Sequence, residues 1–327
     1  MSRSDVIAVT GATGRVGHLV AERLLLAGHT VRVVGRNKEK LELLSKRGAE
    51  VRPGSLADRA FLTSVFQGAR AAFVLTPADY TAQDVNAEQR KNVESMAAAI
   101  RDAGVKHVVL LSSWGAELTE RSGGIIGCHM FEELLDGISG LNVVHLRPVW
   151  FMENFLWNIR LIKMAGINGL AMKPDVPFPT VATRDIAPVA AEYLSTLDFK
   201  GRSVHYLNGP RDYTMVEITR ILGASVGKPE LGYVEFPAAV MRKGLVKSGG
   251  LSPNAADIGI EINLGISSGR IKAEPRSKSN TTPTTLEEFA KISFAPAFRA
   301  APDASFSDRF SGLFLRAFLF MTGHRAL

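Results

Sequence analysis

Three glycines near the start of the chain recur at every third residue, in the run Thr10-Gly-Ala-Thr-Gly-Arg-Val-Gly17. An apolar segment precedes the run and an amphipathic segment follows it, an order that predicts a strand, a tight turn and a helix. Glycines let such a turn approach a phosphate closely, and the unpaired amides at the helix start attract the negative charge. The sequence therefore predicts a pyrophosphate-binding loop formed by Gly11, Thr13, Gly14, Arg15, Val16 and Gly17.

Basic residues occupy the position that decides which dinucleotide binds. The second apolar run, Val31–Val34, is followed by Gly35 and Arg36, and Lys40 comes four residues later. A site for NAD carries Asp or Glu there to bind the ribose hydroxyls, whereas a guanidinium binds a 2′-phosphate. A solvated basic start to a helix is the alternative, but it does not account for the missing acid. The predicted cofactor is therefore NADP(H), with Arg36 and Lys40 as binding residues.

Two further strand ends carry polar residues. Thr76 and Pro77 follow the fourth predicted strand, and Ser112 and Ser113 follow the fifth. Because ligands of parallel α/β sheets bind at the carboxyl edge, we expect Thr76 and Pro77 to border the nicotinamide ribose. Ser112 and Ser113 are expected to contact the cofactor at the same edge. Capping of the following segment by the serine hydroxyls is the alternative.

Candidate proton donors are few in this sequence. It contains no Tyr-x-x-x-Lys pair, in which the lysine lowers the pKa of a proton-donating phenol. His129 and Glu133 are four residues apart and share one face of the helix after the fifth strand. His129 is a candidate proton donor oriented by Glu133, and a surface pair with a packing role is the equal alternative. Tyr80, in the loop after the fourth strand, is a second candidate acid, although a role as a pocket wall is favoured.

Aromatic residues are concentrated where the alternation of strands and helices ends. The candidate lining of a substrate pocket is Trp114, Trp150, Phe151 and Asn154. An aromatic wall suits a flat, hydrophobic acceptor, although core packing accounts equally well for at least half of the aromatic residues in this region. The 7 histidines are scattered without the spacing of metal ligands, so no metal site is predicted.

The elements that position these residues alternate in type through the first half of the chain. Apolar runs predict strands and amphipathic segments between them predict helices, which is the pattern of a doubly wound parallel α/β sheet. We expect residues 1–150 to form a dinucleotide-binding Rossmann domain, with residues 181–209 returning to its sheet. Residues 151–180 and 210–295 are expected to form a smaller α/β substrate domain.

An extra helix is predicted in the tail, residues 296–327. Ser305 and Asp308 have the spacing of a helix start, and apolar residues then fall on one broad stripe: Phe306, Phe310, Leu313, Phe314, Ala317, Phe318 and Met321. Such a face is costly to leave in water. Packing on the chain's own body or on a second subunit, which would give a homodimer, is favoured over a membrane surface and over disorder.

Composition narrows the possible partners. The net charge is +7, yet no dense Lys/Arg tract occurs, so an anionic cofactor is favoured over nucleic acid. The single cysteine, Cys128, permits no internal disulfide, and no apolar core of a signal peptide precedes the first strand. We therefore expect a cytoplasmic protein that acts on a small molecule.

Several segments together resemble the NmrA-like family of atypical short-chain dehydrogenases. They are the glycine loop, Arg36-Asn37, residues 104–113, Leu146-Arg-Pro148, Phe151-Met-Glu-Asn154 and Thr183-Arg-Asp-Ile-Ala187. The resemblance implies a Rossmann fold that binds NADP(H), and the family often carries His-x-x-x-Glu at the position of His129. It implies an NADPH-dependent reductase of a small aromatic or quinonoid compound, or alternatively a non-catalytic regulator that senses NADP(H).

Two positions depart from the family pattern. Gly54 and Ser55 follow the third strand, where the family has Gly-Asp near the adenine. Val149 and Trp150 stand where the family has a glycine after Arg-Pro, which should reshape the pocket.

Arg36→Ala tests the choice of cofactor. Loss of one charge-assisted contact to the 2′-phosphate should weaken NADPH binding roughly tenfold or more. NADH binding should stay nearly unchanged, because NADH lacks that phosphate. Calorimetric titration of both dinucleotides measures the difference, and equal affinities of the unsubstituted protein for NADPH and NADH would contradict the assignment.

Overall fold

The computed structural model of the protein describes residues 6–247, 249–324 and 326–327, apart from the side chain of Phe306. The chain divides into two compact units. Unit 1 contains the residues up to Pro148 together with Thr183–Leu207, and unit 2 contains Val149–Ala182 together with Asn208–Leu327. The chain therefore leaves unit 1 after Pro148 and returns to it for one helix and one strand.

Unit 1 is built on one parallel sheet. Its strands are β1 Val6–Val9, β2 Thr30–Gly35, β3 Glu50–Pro53, β4 Ala71–Leu75, β5 His107–Leu111, β6 Asn142–Pro148 and β10 Arg202–Leu207. They form a 7-stranded sheet in the order β10-β6-β5-β4-β1-β2-β3. The strands are rich in apolar residues because helices cover both faces of such a sheet. The strand order reverses at β1, which pairs with β2 on one side and with β4 on the other.

Helices connect the strands of unit 1. They are α1 Arg15–Leu26, α2 Lys38–Ser45, α3 Arg59–Phe66, α4 Val85–Ala103, α5 Ile126–Asp136 and α7 Thr183–Thr196. Asn37, Asp58 and Asp84 cap α2, α3 and α4, because each side chain accepts a hydrogen bond from a first-turn amide. α4 ends at Gly104, whose φ of 70° is a left-handed conformation that glycine adopts readily. Local residue chemistry therefore sets these helix limits.

The core of unit 1 lies between the sheet and its helices. α1 packs against α7, while α3, α4 and α5 pack in succession. Phe66, Val108 and Phe131 are fully buried under the second group of helices. Each large apolar side chain buried in this way contributes roughly 1.5–3 kcal/mol. The carboxyl ends of the strands are therefore held in a well-packed frame.

Unit 2 contains two small sheets. β9 Phe178–Val181 pairs in parallel with β7 Trp150–Phe151 and antiparallel with β11 Asp212–Tyr213. β8 Ile167–Leu170 pairs in parallel with β12 Gly232–Glu235. A short 3-10 helix, Met152–Asn158, precedes a series of helices: α6 Ile159–Ala165, α8 Met215–Ser225, α9 Ala238–Lys247, α10 Pro253–Ser267, α11 Leu286–Phe289, α12 Ala295–Ala300 and α13 Phe306–Met321.

The predicted tail helix is present as α13. Ser305 and Asp308 form a reciprocal capping box at its start. Its inner side packs on α6, because a Cβ at Gly312 would collide with the Met164 carbonyl, and Leu319 is 1% exposed. Beyond α13, the backbone groups of Leu327 and Tyr233 exchange hydrogen bonds of 2.9 and 3.0 Å. Within the described ranges, no helix is long and apolar enough to cross a bilayer.

Candidate functional site

The glycine loop joins the end of β1 to the start of α1. Gly11 has a φ of 62°, and a Cβ there would lie 2.6 Å from Leu75. A Cβ at Gly17 would collide with the Gly11 carbonyl, so glycine allows α1 to begin directly against the loop. A Cβ at Gly14 would meet only the Gly11 carbonyl oxygen among the described atoms, at 3.2 Å. Packing therefore requires Gly11 and Gly17, whereas a Cβ at Gly14 would make one tight contact with the loop backbone and no outright collision.

The residues after β2 lie beside this loop. The Ala12 amide donates a 3.1 Å hydrogen bond to the Val34 carbonyl, which ties the loop to β2. Lys40 lies in the first turn of α2, and its ammonium is 3.4 Å from the Thr13 carbonyl oxygen. Arg36 is exposed at the end of β2. Gly35, the residue before Arg36, lies against Thr13, where a Cβ would come within 2.6 Å of the threonine methyl. Lys40 therefore contacts the loop directly and Arg36 follows a residue packed on it, and two cations suit a 2′-phosphate.

The remaining loop residues differ in exposure. Thr13 is half-buried and Arg15 is exposed, so both side chains are accessible to a ligand. Val16 is 4% exposed, so it offers only its backbone amide. The start of α1 contributes free amides and the positive end of the helix dipole in addition.

A polar cluster lies at the carboxyl ends of β4 and β5. The Ser112 hydroxyl donates a 2.5 Å hydrogen bond to Glu132 on α5. Burial raises the pKa of the Cys128 thiol to about 12, although the hydroxyls of Thr76 and Ser112 act in the opposite direction. A Cβ at Gly127 would lie 3.0 Å from the Thr76 methyl, so this glycine lets α5 approach the end of β4. Pro77 and Ser113 follow these strand ends and are half-buried.

Glu132 is also paired with Arg147, near the end of β6. The guanidinium donates hydrogen bonds of 3.0 and 2.6 Å to the two carboxylate oxygens, and both side chains are largely buried. Arg147 donates further to Glu117 and to the Tyr206 hydroxyl. Burial alone would lower the pKa of Arg147, but hydrogen bonds and the charge of Glu132 raise it above its ordinary value. The pair joins α5 to the sheet beside Ser112.

Sequence reasoning did not identify Glu132 as a functional residue. Cys128 and Glu132 are four residues apart, as His129 and Glu133 are, so each pair shares one helical face. The first pair lies one position earlier in the sequence. The signal available in the sequence was Arg147 in the Leu-Arg-Pro segment, because a buried arginine needs a carboxylate partner.

His129 and Glu133 lie on a more exposed side of α5. The Nδ1–H of His129 donates a 2.9 Å hydrogen bond to the Ala116 carbonyl, because that oxygen can only accept. His129 Nε2 is 3.5 Å from Glu133, whose side chain is 69% exposed. The two residues therefore form the expected pair, with the imidazole oriented by a backbone carbonyl.

Tyr80 lies near both the loop and the polar cluster. Its side chain is 48% exposed, yet desolvation raises the pKa of its hydroxyl. The nearby Cys128 side chain also raises the pKa of Tyr80, and the charge of Arg15 lowers it. The hydroxyl is therefore protonated at neutral pH.

The residues predicted to line a substrate pocket fall in both units. In unit 1, Trp114 is 3% exposed, which fits a packing role. In unit 2, Trp150 packs against Phe178 with ring centroids 6.1 Å apart. Phe151 follows in β7, and Asn154 lies in the short 3-10 helix.

Two polar atoms on the β7–β9 sheet have no hydrogen-bond partner among the described residues. They are the indole nitrogen of Trp150 and the hydroxyl of Thr180, both buried. Trp150 and Thr180 are register partners in parallel strands, so their side chains project from the same face. A buried polar atom without a partner is costly, and a ligand that hydrogen-bonds to it removes that cost. No group of metal-ligating side chains occurs in the part of the chain that the structure describes.

Comparison with known proteins agrees with these features. Residues 3–289 match the sequence profile of the NmrA-like family. The chain belongs to the NmrA-like family. It is 35% identical over 242 residues to the (4-alkanoyl-5-oxo-2,5-dihydrofuran-3-yl)methyl phosphate reductase of Streptomyces griseus, covering 73% of this chain and 81% of that one. It is 29% identical over 288 residues to quinone oxidoreductase 2 of Escherichia coli, covering 86% and 95%.

Solved structures of related proteins have the same fold as this NmrA-like protein. An NADPH-dependent quinone oxidoreductase of Escherichia coli, solved with NADPH, matches with a TM-score of 0.74 and 27% identity, covering 87% of this chain and 98% of that one. The triphenylmethane reductase of Citrobacter sp. with NADP(H) matches with a TM-score of 0.73 and 24% identity, covering 87% and 99%. The second match shows the fold alone.

Gly14 and Gly17 of this NmrA-like protein should respond differently to substitution. Gly14→Val should lower the melting temperature less than Gly17→Ala does but abolish dinucleotide binding, because the side chain would occupy the space for the pyrophosphate. Gly17→Ala should lower the melting temperature, since its Cβ would collide with the Gly11 carbonyl. Calorimetry and thermal unfolding measure both effects, and full NADPH affinity in folded Gly14→Val would exclude this loop.

The buried pair Glu132–Arg147 gives a stability prediction. Glu132→Leu should reduce the free energy of unfolding by about 3–5 kcal/mol, because it leaves a buried guanidinium without its carboxylate. The double variant Glu132→Leu, Arg147→Met should recover much of this loss, since no unpaired charge remains buried and Glu117, which also loses its partner, is 44% exposed. Denaturant unfolding measures the double variant and both single variants, Glu132→Leu and Arg147→Met. A loss in the double variant equal to the sum of the two single losses would show that the two side chains do not act as a pair.

Proposed function

We propose that this protein is an NADPH-dependent reductase that transfers a hydride to a small aromatic or quinonoid acceptor. The observation that carries the proposal is that Lys40 contacts the glycine loop and that Arg36 follows Gly35, which packs on Thr13 of the same loop. A 2′-phosphate carries charge that two cations bind, and the start of α1 suits a pyrophosphate. The relatives support the reaction class, since they are named quinone oxidoreductase 2 and (4-alkanoyl-5-oxo-2,5-dihydrofuran-3-yl)methyl phosphate reductase.

The residues of this chain would bind NADPH and orient it toward the acceptor. NADPH, when bound, supplies the hydride. The loop residues would hold the pyrophosphate, and Arg36 and Lys40 the 2′-phosphate. Thr76 and Ser112, at the ends of β4 and β5, would border the nicotinamide ribose. Proximity and orientation account for most of the rate when the acceptor takes a hydride readily.

A proton must reach the acceptor as well, and two residues are candidates to donate it. His129 already donates through Nδ1 to Ala116, and its Nε2 faces the exposed Glu133. Tyr80 keeps its proton at neutral pH and lies near Cys128 and Arg15, beside the cofactor loop. We therefore favour Tyr80 as the donor, with His129 and Glu133 as the alternative pair.

The second candidate function is that of a regulator that senses NADP(H) without catalysis. The observation in its favour is the absence of the Tyr-x-x-x-Lys pair. A regulator would bind NADPH with the predicted preference and would turn over no acceptor.

The proposed substrate is a small molecule, and the proposed location is the cytoplasm. The charge of +7 is spread over the sequence and is attributed to an anionic cofactor, so no nucleic-acid partner is proposed. A homodimer through α13 stays a prediction that a measurement of molar mass decides.

Loss of NADPH absorbance with a panel of quinones and triphenylmethane dyes tests the reductase proposal. Several members of the panel should be reduced, and NADPH should be preferred over NADH. Arg36→Ala should raise the KM for NADPH and leave kcat nearly unchanged, since it removes binding of a non-reacting group. Tight NADPH binding with no turnover of any acceptor would favour the regulator.

Tyr80→Phe and His129→Ala distinguish the two proton donors. Tyr80→Phe should lower kcat by roughly a hundredfold without weakening NADPH binding, because it removes only the hydroxyl group that would donate the proton. His129→Ala should change kcat much less. The opposite result would assign the proton to His129, and unchanged rates in both variants would assign it to water.

A further inference from the structure

The side of α13 that faces away from unit 2 is apolar. Its large side chains are between 46% and 77% exposed: Phe310, Leu313, Phe314, Phe318 and Met321. Phe310 and Phe314 pack against each other with ring centroids 4.8 Å apart, so the aromatic surface is continuous along two turns. Exposed apolar surface on this scale marks an interaction site.

The rotation of α13 about its own axis is fixed by its inner side. Gly312 lies against the backbone of α6, and Leu319 is buried with Ala165 and Val234. The Arg160–Asp308 ion pair, at 3.2 Å, and the backbone pairing of Leu327 hold its two ends. The exposed face is therefore a fixed outer surface of unit 2.

The breadth of this face indicates what covers it. At 100° per residue, the side chains from Leu313 to Phe318 spread over an arc of about 140° around α13. A coiled-coil partner helix covers a narrower stripe. A planar lipid surface contacts the whole arc at once, as it does for helices that lie in the membrane interface.

The charges around the face favour an anionic surface. From Arg309 to the last residue the sequence contains three arginines and one histidine, and no Asp or Glu. Arg309 and Arg316 fall beside one edge of the apolar arc, and both are exposed. The one acid of α13, Asp308, caps the helix start and pairs with Arg160. A second copy of α13 would therefore add arginines to this face with no acid left to neutralise them, whereas anionic lipid headgroups would attract them.

We propose that the outer face of α13 docks this protein on the surface of an anionic lipid bilayer. The phenylalanines and Leu313 lie at the boundary of headgroups and acyl chains, and Arg309 and Arg316 contact lipid phosphates. The helix lies in the interface and does not span the bilayer. The inference rests on α13 alone and holds whether or not the protein is a reductase.

Co-sedimentation of the full chain with vesicles tests the proposal. One preparation is phosphatidylcholine alone, and the other contains about a third phosphatidylglycerol. Binding should be stronger to the anionic vesicles and should weaken as salt is raised. Leu313→Glu should lower the partition coefficient roughly tenfold or more, because it sets a charge in the apolar face.

Leu26→Glu is the matched control, since Leu26 is 82% exposed on α1, in the other unit. It should bind vesicles within about twofold of the unsubstituted protein. Both substitutions are at exposed positions, and equal melting temperatures verify that both variants are folded. Arg309→Gln should weaken binding to the anionic vesicles only.

Three results would overturn the proposal. The first is no binding to anionic vesicles at low salt. The second is binding that Leu313→Glu and Leu26→Glu reduce equally. The third is a dimeric mass by light scattering that Leu313→Glu converts to a monomer while vesicles bind neither form, which would assign the face to a second copy.

Discussion

The position of β1 between β2 and β4 is the constraint on which the site depends. Parallel strands on both sides of β1 require the chain to cross over the sheet in opposite directions, so the loops after β1 and β4 separate there. That separation opens a crevice at the carboxyl edge. The glycine loop fills one side of it, and the ends of β4 and β5 form the other. The same strand order explains why residues as distant in sequence as Arg15 and Tyr80 act on one another.

The buried pair of Glu132 and Arg147 is a second constraint, this time on α5. The carboxylate accepts from Ser112 and from the guanidinium at once, so it fixes the end of β5, the end of β6 and the helix above them. Buried ion pairs are not reliable sources of stability, but they enforce one arrangement of their partners. In this protein that arrangement holds Ser112 and Cys128 at the edge of the crevice.

The features that the sequence predicted are those set by local patterns. The glycine spacing, the apolar runs of β1, β2, β4, β5 and β6, and the start of α13 each depend on residues within a few positions of one another. The polar cluster does not, because Ser112, Glu132 and Arg147 are 15 or more residues apart along the chain. On α5, the pairs Cys128–Glu132 and His129–Glu133 have the same spacing. Only packing of Phe131 and Leu135 determines which face meets the sheet.

Cys128 has a chemical consequence for a protein that handles electrophiles. Quinones add to thiolates, and burial raises the pKa of the Cys128 thiol to about 12, so it stays a neutral thiol at neutral pH. The one cysteine of the chain lies at the edge where a quinonoid acceptor would bind, yet it is held in its unreactive form. Desolvation by the surrounding side chains thereby protects the protein from alkylation by the compounds it is proposed to reduce.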